Sequence, residues 1–242
     1  MQGRGYGIFF MTVLRLINKI IRWIVVAFFA STILVVVAYR FIPVYFTPLM
    51  FIRVGEQMFS DEYEVKLHHS WVSLDEMSKY MPVAVMASED QRFLMHHGFD
   101  FEAIKKAAEH NKKKGTVRHG GSTISQQTAK NVFLWQGRSW LRKGIEMYFT
   151  VLIEVLWGKE RIMEVYLNSI EMGNGIYGVE ACANDNFGKS AKELTRRECA
   201  QIAATLPNPR RFSSSSPSPY MIKRRGQIEK QMKHIDLFPR GE

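Results

Sequence analysis

The residues best equipped for chemistry stand in "VMASEDQRFLMHHGFD", where Glu89 and Asp90 directly follow an apolar run and Arg92, His96 and His97 come after them. A carboxylate placed where an apolar helix meets a loop can face an open cleft and take up a proton. The same placement also describes an ordinary helix end with its charges turned to water. A second acid, Glu146, lies near the start of the helical pattern "RKGIEMYFTVLIEVLW", where a carboxylate complements the macrodipole without needing a further role. Between the two acids runs "GGSTISQQTAKNVFLWQGRSW". Thr123 and Gln126 have the spacing of a capping box, a structural role. Gly120 and Gly121 permit close approach of a ligand, the helix start offers N–H groups, and Lys130 and Arg138 add positive charge, a set that suits a phosphate-bearing substrate. Two carboxyl groups beside an anion-binding surface fit glycosyl chemistry, one handling a proton and the other managing charge at the sugar carbon. His96 and His97 are adjacent and so point apart on a helix, and no metal ligand set accompanies them.

These side chains need rigid elements to hold them. The stretch "WVSLDEMSKYMPVAVMASED" is helical in pattern, with Ser73 as an N-cap and Pro82 opening a second apolar segment in its first turn. Further helices are expected over 100–110, 123–134, 141–157, 159–170 and 195–206. Ile145, Phe149, Leu152 and Leu156 recur at helical spacing and predict a buried stripe one residue away from Glu146. "NKKKGTVRHGG" is a basic, glycine-bearing loop, and "PNPRRFSSSSPSP" is irregular by composition. No convincing period-2 run and no internal repeat are present, so the expected fold class is all-α.

With 242 residues, 46% of them hydrophobic, the chain suffices for one anchor and one domain with a substantial core. The formal net charge is +10, yet six Lys or Arg and no Asp or Glu precede Glu56, which leaves 27 cations against 23 anions in the remainder. That distribution argues against a nucleic-acid partner. From Trp23 to Tyr39 there is no charge, and as a helix this run spans roughly 26 Å, close to a bilayer core. Arg4, Arg15, Lys19 and Arg22 before it, against Arg40 immediately after it, place the N-terminus in the cytoplasm. "VVVAYRFIPVY" offers no small-x-small cleavage site, so the anchor is read as uncleaved. "FIPVYFTPLMFI" stays apolar but is broken by Pro43 and Pro48, a membrane-proximal collar rather than one continuous helix. The expected divisions are a cytoplasmic segment over 1–19, the anchor over 20–40, the collar over 41–60 and the domain over 61–242. Cys182 and Cys199, with small apolar neighbours, are expected as buried small residues.

Taken together, "EDQRFLMHHGFD", "GGSTISQQTAKNVFL", "RKGIE" and "KERIMEVYLNSIEMGNGIYGVEACANDNFGKS" occur in an order and spacing that resemble the monofunctional biosynthetic peptidoglycan glycosyltransferases, relatives of the N-terminal domain of class A penicillin-binding proteins. The likeness runs from about Trp71 to Phe212. It implies a lysozyme-like, mainly helical fold and a reaction on lipid II, a disaccharide-pentapeptide carried on undecaprenyl pyrophosphate. Glu89 resembles the general base that deprotonates the acceptor's 4-hydroxyl, and Glu146 the second catalytic carboxylate, acting at the pyrophosphate with basic groups or a divalent cation. Lys130 and Arg138 resemble groups that hold the leaving pyrophosphate. Arg92, Ser122, Thr123, Gln126, Gln127 and Asn168 match motif positions that line or support the cleft. Lys106 stands where many relatives carry Arg, a point charge in place of a bidentate fork. "CANDNFGKS" is more polar than in relatives, and a local structural effect is expected there.

The resemblance further implies no tightly bound cofactor, with a divalent cation such as Mg only at the substrate pyrophosphate. The implied partners are lipid II, the growing glycan, membrane lipid, and cell-wall synthesis or division proteins. The implied location is the bacterial inner membrane, single-pass, with the catalytic domain periplasmic. Two other readings stand beside it: a lytic enzyme of related shape, and a membrane-tethered scaffold whose basic loop touches anionic lipid or wall polymer.

Overall fold

The computed structural model describes residues 3–60, 64–114, 121–137 and 139–240, and its chain divides into two units, Met1–Ile42 and Pro43–Glu242. Arg138, Gly120 and most of the basic loop lie outside the described residues.

The first unit is one helix, α1 (Gly3–Phe41). Its segment Val13–Phe41, 29 residues, is long and apolar enough to cross a membrane, since at helical rise it extends about 43 Å against a hydrocarbon core of roughly 30 Å.

In the second unit α2 (Pro48–Met58) begins where the collar was expected to break. Pro48 takes the first helical position, and the Thr47 hydroxyl accepts the Met50 N–H at 3.3 Å. A proline there starts a helix, because its missing N–H would have had no partner anyway. The chain then forms β1 (His68–His69) and a 3₁₀ turn over Leu74–Glu76 closed by a Ser73 capping box. Helix α3 (Tyr80–Glu89) follows, with every side chain from Met81 to Ala87 buried. A helix apolar all round belongs inside a domain, and α3 is the central helix on which the C-terminal helices pack.

Next come α4 (Phe101–Lys114), α5 (Ile124–Phe133), α6 (Trp140–Leu156) and α7 (Gly158–Ser169). The capping box of α5 is formed as its sequence requires: the Thr123 hydroxyl accepts the Gln126 N–H at 3.2 Å and Gln126 Oε1 accepts the Thr123 N–H at 3.0 Å. The expected stripe of α6 is displaced. Glu146, Phe149, Thr150 and Ile153 are buried, while Ile145, Leu152 and Leu156 are only half-buried. The buried side is the one that α5 and α7 cover, and there Phe133 stacks on Phe149 with ring centroids 4.5 Å apart.

Strands β2 (Glu171–Gly173) and β3 (Ile176–Tyr177) complete a three-stranded sheet in the order β1-β3-β2, with β1 parallel and β2 antiparallel to β3. Strands of two or three residues cannot display alternation, and both β2 and β3 are buried throughout, so no period-2 signal exists to be read. The architecture is mainly helical all the same. Gly175, at φ +69°, closes the β2–β3 turn, and a Cβ there would lie 2.2 Å from the Lys66 carbonyl oxygen. Gly175→Ala is therefore expected to destabilise the domain by about 3 kcal/mol, through left-handed strain plus displacement of the β1 approach. Thermal unfolding of the two purified proteins measures this.

The remaining helices are α8 (Val179–Phe187), α9 (Arg196–Ala203) and α10 (Pro219–Gln231). Helix α10 starts at a Ser218 cap with Pro219 in its first turn and packs on α9 and α3. Cys182 and Cys199 are free and buried. The polar run in α8 is local in effect: Asp185 pairs with Lys66 and His68, and Asn186 donates to the Ser214 hydroxyl.

Candidate active site

Glu89 is the last residue of α3 and opens into a cavity of about 270 Å³ that Arg92, Lys106, Gly121, Ser122 and Thr123 also line. Its carboxylate is gripped on both oxygens. Oε1 accepts the Ser88 hydroxyl at 2.8 Å and Oε2 accepts the Gln127 amide at 3.2 Å. Gln127 is oriented in turn by Tyr166, whose hydroxyl donates to Gln127 Oε1 at 3.0 Å. Burial, then the negative charges of Glu89 and Asp90, push the Tyr166 phenol well above its usual value, so it stays a donor. A carboxylate oxygen has about two acceptor positions, which leaves each Glu89 oxygen one direction for a substrate proton.

Asp90 has a different task. It is buried, receives His96 Nε2 at 2.9 Å, and accepts the Ile124 N–H at 3.0 Å. The start of α5 thus has an anion already, supplied by the chain itself, and the Thr123 and Gln126 N–H groups serve the capping box. This corrects the expectation of a free helix start for a substrate phosphate. Gly121 is also corrected: a Cβ there would meet the Ile104 backbone and side chain at 3.0 Å, so close packing of α4 explains that glycine. His97 is exposed, opposite in fate to His96.

Beyond Gln127 lies a second hollow of about 190 Å³, lined by Gln127, Lys130, Asn131, Arg53 and Glu171. Lys130 is half-buried and forms no ion pair among the described residues. Burial lowers its pKa, and Glu146 opposes that shift. Glu146 is buried on α6, where Arg142 donates to Oε2 at 3.0 Å and Lys143 contacts Oε1. The first-turn role expected of this acid is not what the structure shows: α6 starts at Trp140 and has no acid in its first turn, so Glu146 sits in the second turn and is held by local pairing instead.

The other expected residues divide into exposed and buried groups. Arg92 pairs with Glu102 and lies 3.6 Å from Asp100, and Lys106 is exposed at the cavity rim, 4.0 Å from Glu102. Ser122 is exposed in the cavity wall. Gln126 is buried by its cap. Asn168 is fully buried, and its amide accepts Val72 N–H at 3.0 Å and donates to Val72 O and Glu164 O at 2.9 Å each. With no amide group left over, Asn168 is a clamp between α7 and the segment after β1 and not a substrate contact. Asn168→Ala is expected to cost roughly 2–3 kcal/mol, since it strands the Val72 backbone groups, and urea unfolding reads that loss.

Ser88, Arg53 and Glu171 line the two hollows, and Tyr166 supports them from the core through Gln127, without a signal of their own in the sequence. Tyr166 sits in an apolar helical pattern that describes any core aromatic, and Glu171 interrupts a run that otherwise reads as buried.

Residues 56–233 match the family model described as Transglycosylase. The chain is 56% identical over 226 residues to a biosynthetic peptidoglycan transglycosylase of Bacteroides thetaiotaomicron, covering 92% of this chain and 90% of the relative. It is 50% identical to one of Pseudomonas fluorescens, covering 92% of each, and 52% identical over 210 residues to one of Bdellovibrio bacteriovorus, covering 86% of this chain and 83% of the relative.

Proposed function

Because the chain belongs to the transglycosylase family, the lysozyme-like peptidoglycan glycosyltransferases of cell-wall synthesis, we propose that it polymerises lipid II into β-1,4-linked glycan strands. The observation that carries this reading is a carboxylate, Glu89, held by two donors at an open cleft, with Lys130, a cation that forms no ion pair among the described residues, one helical turn beyond the Gln127 that grips it.

Glu89 takes the proton from the 4-hydroxyl of the acceptor's N-acetylglucosamine. The oxygen attacks the anomeric carbon of the donor's N-acetylmuramic acid, and the bond to the α-linked pyrophosphate breaks with inversion. The leaving undecaprenyl pyrophosphate carries away the bonding electrons as negative charge, and Lys130, with Arg138 by its motif position, stabilises that charge as it develops. Glu146 holds Arg142 and Lys143 in the same region. Arg92 and Lys106 are the cations for the substrate on the Glu89 side, where Arg92 must exchange a carboxylate partner for a phosphate.

A divalent cation does not find a donor set among the described residues. Both Glu146 oxygens face cations, and among the described residues no group of three His, Cys, Asp or Glu side chains could hold a metal ion. Any Mg belongs with the substrate's pyrophosphate.

Helix α1 tethers the domain to the membrane that carries the polyprenyl substrate. The charge bias around it supports an N-terminus in the cytoplasm and a domain in the periplasm, where cell-wall synthesis or division proteins would be the accessible protein partners. The test is incubation of the full-length protein with labelled lipid II in detergent. Strands that a muramidase digests are the expected product. Absence of polymer from folded protein, or shortening of added strands, overturns the reading.

A further inference from the structure

Glu89 ends α3, and a carboxylate there meets the negative end of the helix dipole. The groups that hold it in place are therefore of interest, and one of them comes from the far end of the chain. Arg224 of α10 donates through Nη2 to the Ser88 carbonyl at 3.2 Å and lies 3.5 Å from the Ser88 hydroxyl. That hydroxyl reaches Glu89 Oε1 at 2.8 Å and the Ala203 carbonyl at 3.3 Å. A hydroxyl has one proton and two acceptors compete for it. A cation against its oxygen and against the adjoining peptide carbonyl favours the arrangement in which that proton points to the carboxylate. The neighbouring Arg225 donates to Gln201 Oε1 at 2.6 Å, which fastens α10 to α9 and fixes the reach of Arg224.

We propose that Arg224 is a positioning residue for the transferase reaction: through Ser88 it sets the orientation of the Glu89 carboxylate, as Tyr166 does through Gln127 on the other oxygen. The proposal rests on the reading of Glu89 as the base. Arg224 lines neither hollow, so it acts on the rate of the chemical step and not on substrate affinity. An arginine that merely capped α3 would affect the amount of folded enzyme and leave the kcat of the folded enzyme unchanged.

The experiment is steady-state polymerisation of lipid II by full-length wild type, Arg224→Gln, Arg224→Lys, Ser88→Ala, the Ser88→Ala/Arg224→Gln double variant and Glu89→Gln, each checked for folding by circular dichroism. The expected result is a fall in kcat of about 10- to 100-fold for Arg224→Gln and for Ser88→Ala with KM within about twofold, partial recovery in Arg224→Lys, and a double variant no slower than the slower single one. Unchanged kcat in a folded Arg224→Gln or Ser88→Ala, or losses that multiply in the double variant, overturns it. If Arg224→Gln does not fold, Arg224→Lys is measured with and without Ser88→Ala: a reduced kcat that does not fall further in the combination supports the proposal, and an unchanged kcat or multiplying losses overturns it. Full activity in Glu89→Gln would instead overturn the assignment of the base, whatever the Arg224 variants do.

Discussion

Glu89→Gln is expected to reduce lipid II polymerisation by about 10²- to 10⁴-fold, the range for removing a positioned general base. The amide occupies the same volume, so the cavity and α3 are retained. What it lacks is a site for the proton: one of its terminal atoms becomes an NH₂, which can donate to the Ser88 hydroxyl while that hydroxyl turns its own proton to the Ala203 carbonyl, so the side chain stays held as the basicity is lost. KM is expected to change little, because the substrate's charged groups are met elsewhere. Single-turnover measurement with radiolabelled lipid II separates the chemical step from binding. A folded Glu89→Gln enzyme with wild-type turnover would remove Glu89 from the mechanism.

Lys130→Met is expected to lower kcat by about 10²- to 10³-fold, the range for deleting one donor that meets charge formed in the transition state. The side chain is well suited to that work because it forms no ion pair among the described residues, whereas Arg142 and Lys143 already serve Glu146 and Arg92 serves Glu102. Its titration supplies a second readout. Burial lowers the Lys130 pKa from the ordinary lysine value, with Glu146 acting in the opposite direction. On the proposed role the charged form is the active one, so the rate is expected to fall as pH rises through a value below that of a free lysine. Lys130→Arg keeps the charge at all these pH values and is expected to move the alkaline limb upward, even if the maximal rate is reduced by the different shape. A limb that stays in place in Lys130→Arg would assign it to another group.

Much of this arrangement was legible from local pattern. The capping box of α5, the apolar α3 ending at Glu89, and the proline-broken segment before α2 follow from rules that act over three or four residues, and each formed where those rules placed it. The long apolar helix α1 follows from length and composition alone. What local pattern could not supply was the partner of each group. Asp90 fills the start of α5 across 34 residues, Asn168 clamps Val72 across 96, and Arg224 reaches Ser88 across 136. The same limit displaced the buried side of α6, because periodicity identifies an apolar face and the neighbours decide which edge of it is covered. Gly121 was visible as a glycine but not as the seat of Ile104. The short sheet had no pattern to read, since its strands are too short to alternate.

Asp90 has a consequence for how this enzyme can be inhibited. A compound that carries a phosphate group as its main feature finds no ready backbone socket at the start of α5, because the chain has filled that socket with its own carboxylate. It must instead compete for side-chain cations, each of which gives a weak and replaceable hold. A useful inhibitor is accordingly one that spans from the Lys130 hollow to Glu89 and presents a hydroxyl or ammonium group to the free lone pair there. With Glu89 as the proposed base, resistance by substitution would be constrained at that end, since an altered Glu89 that escaped the compound would also have lost the proton acceptor.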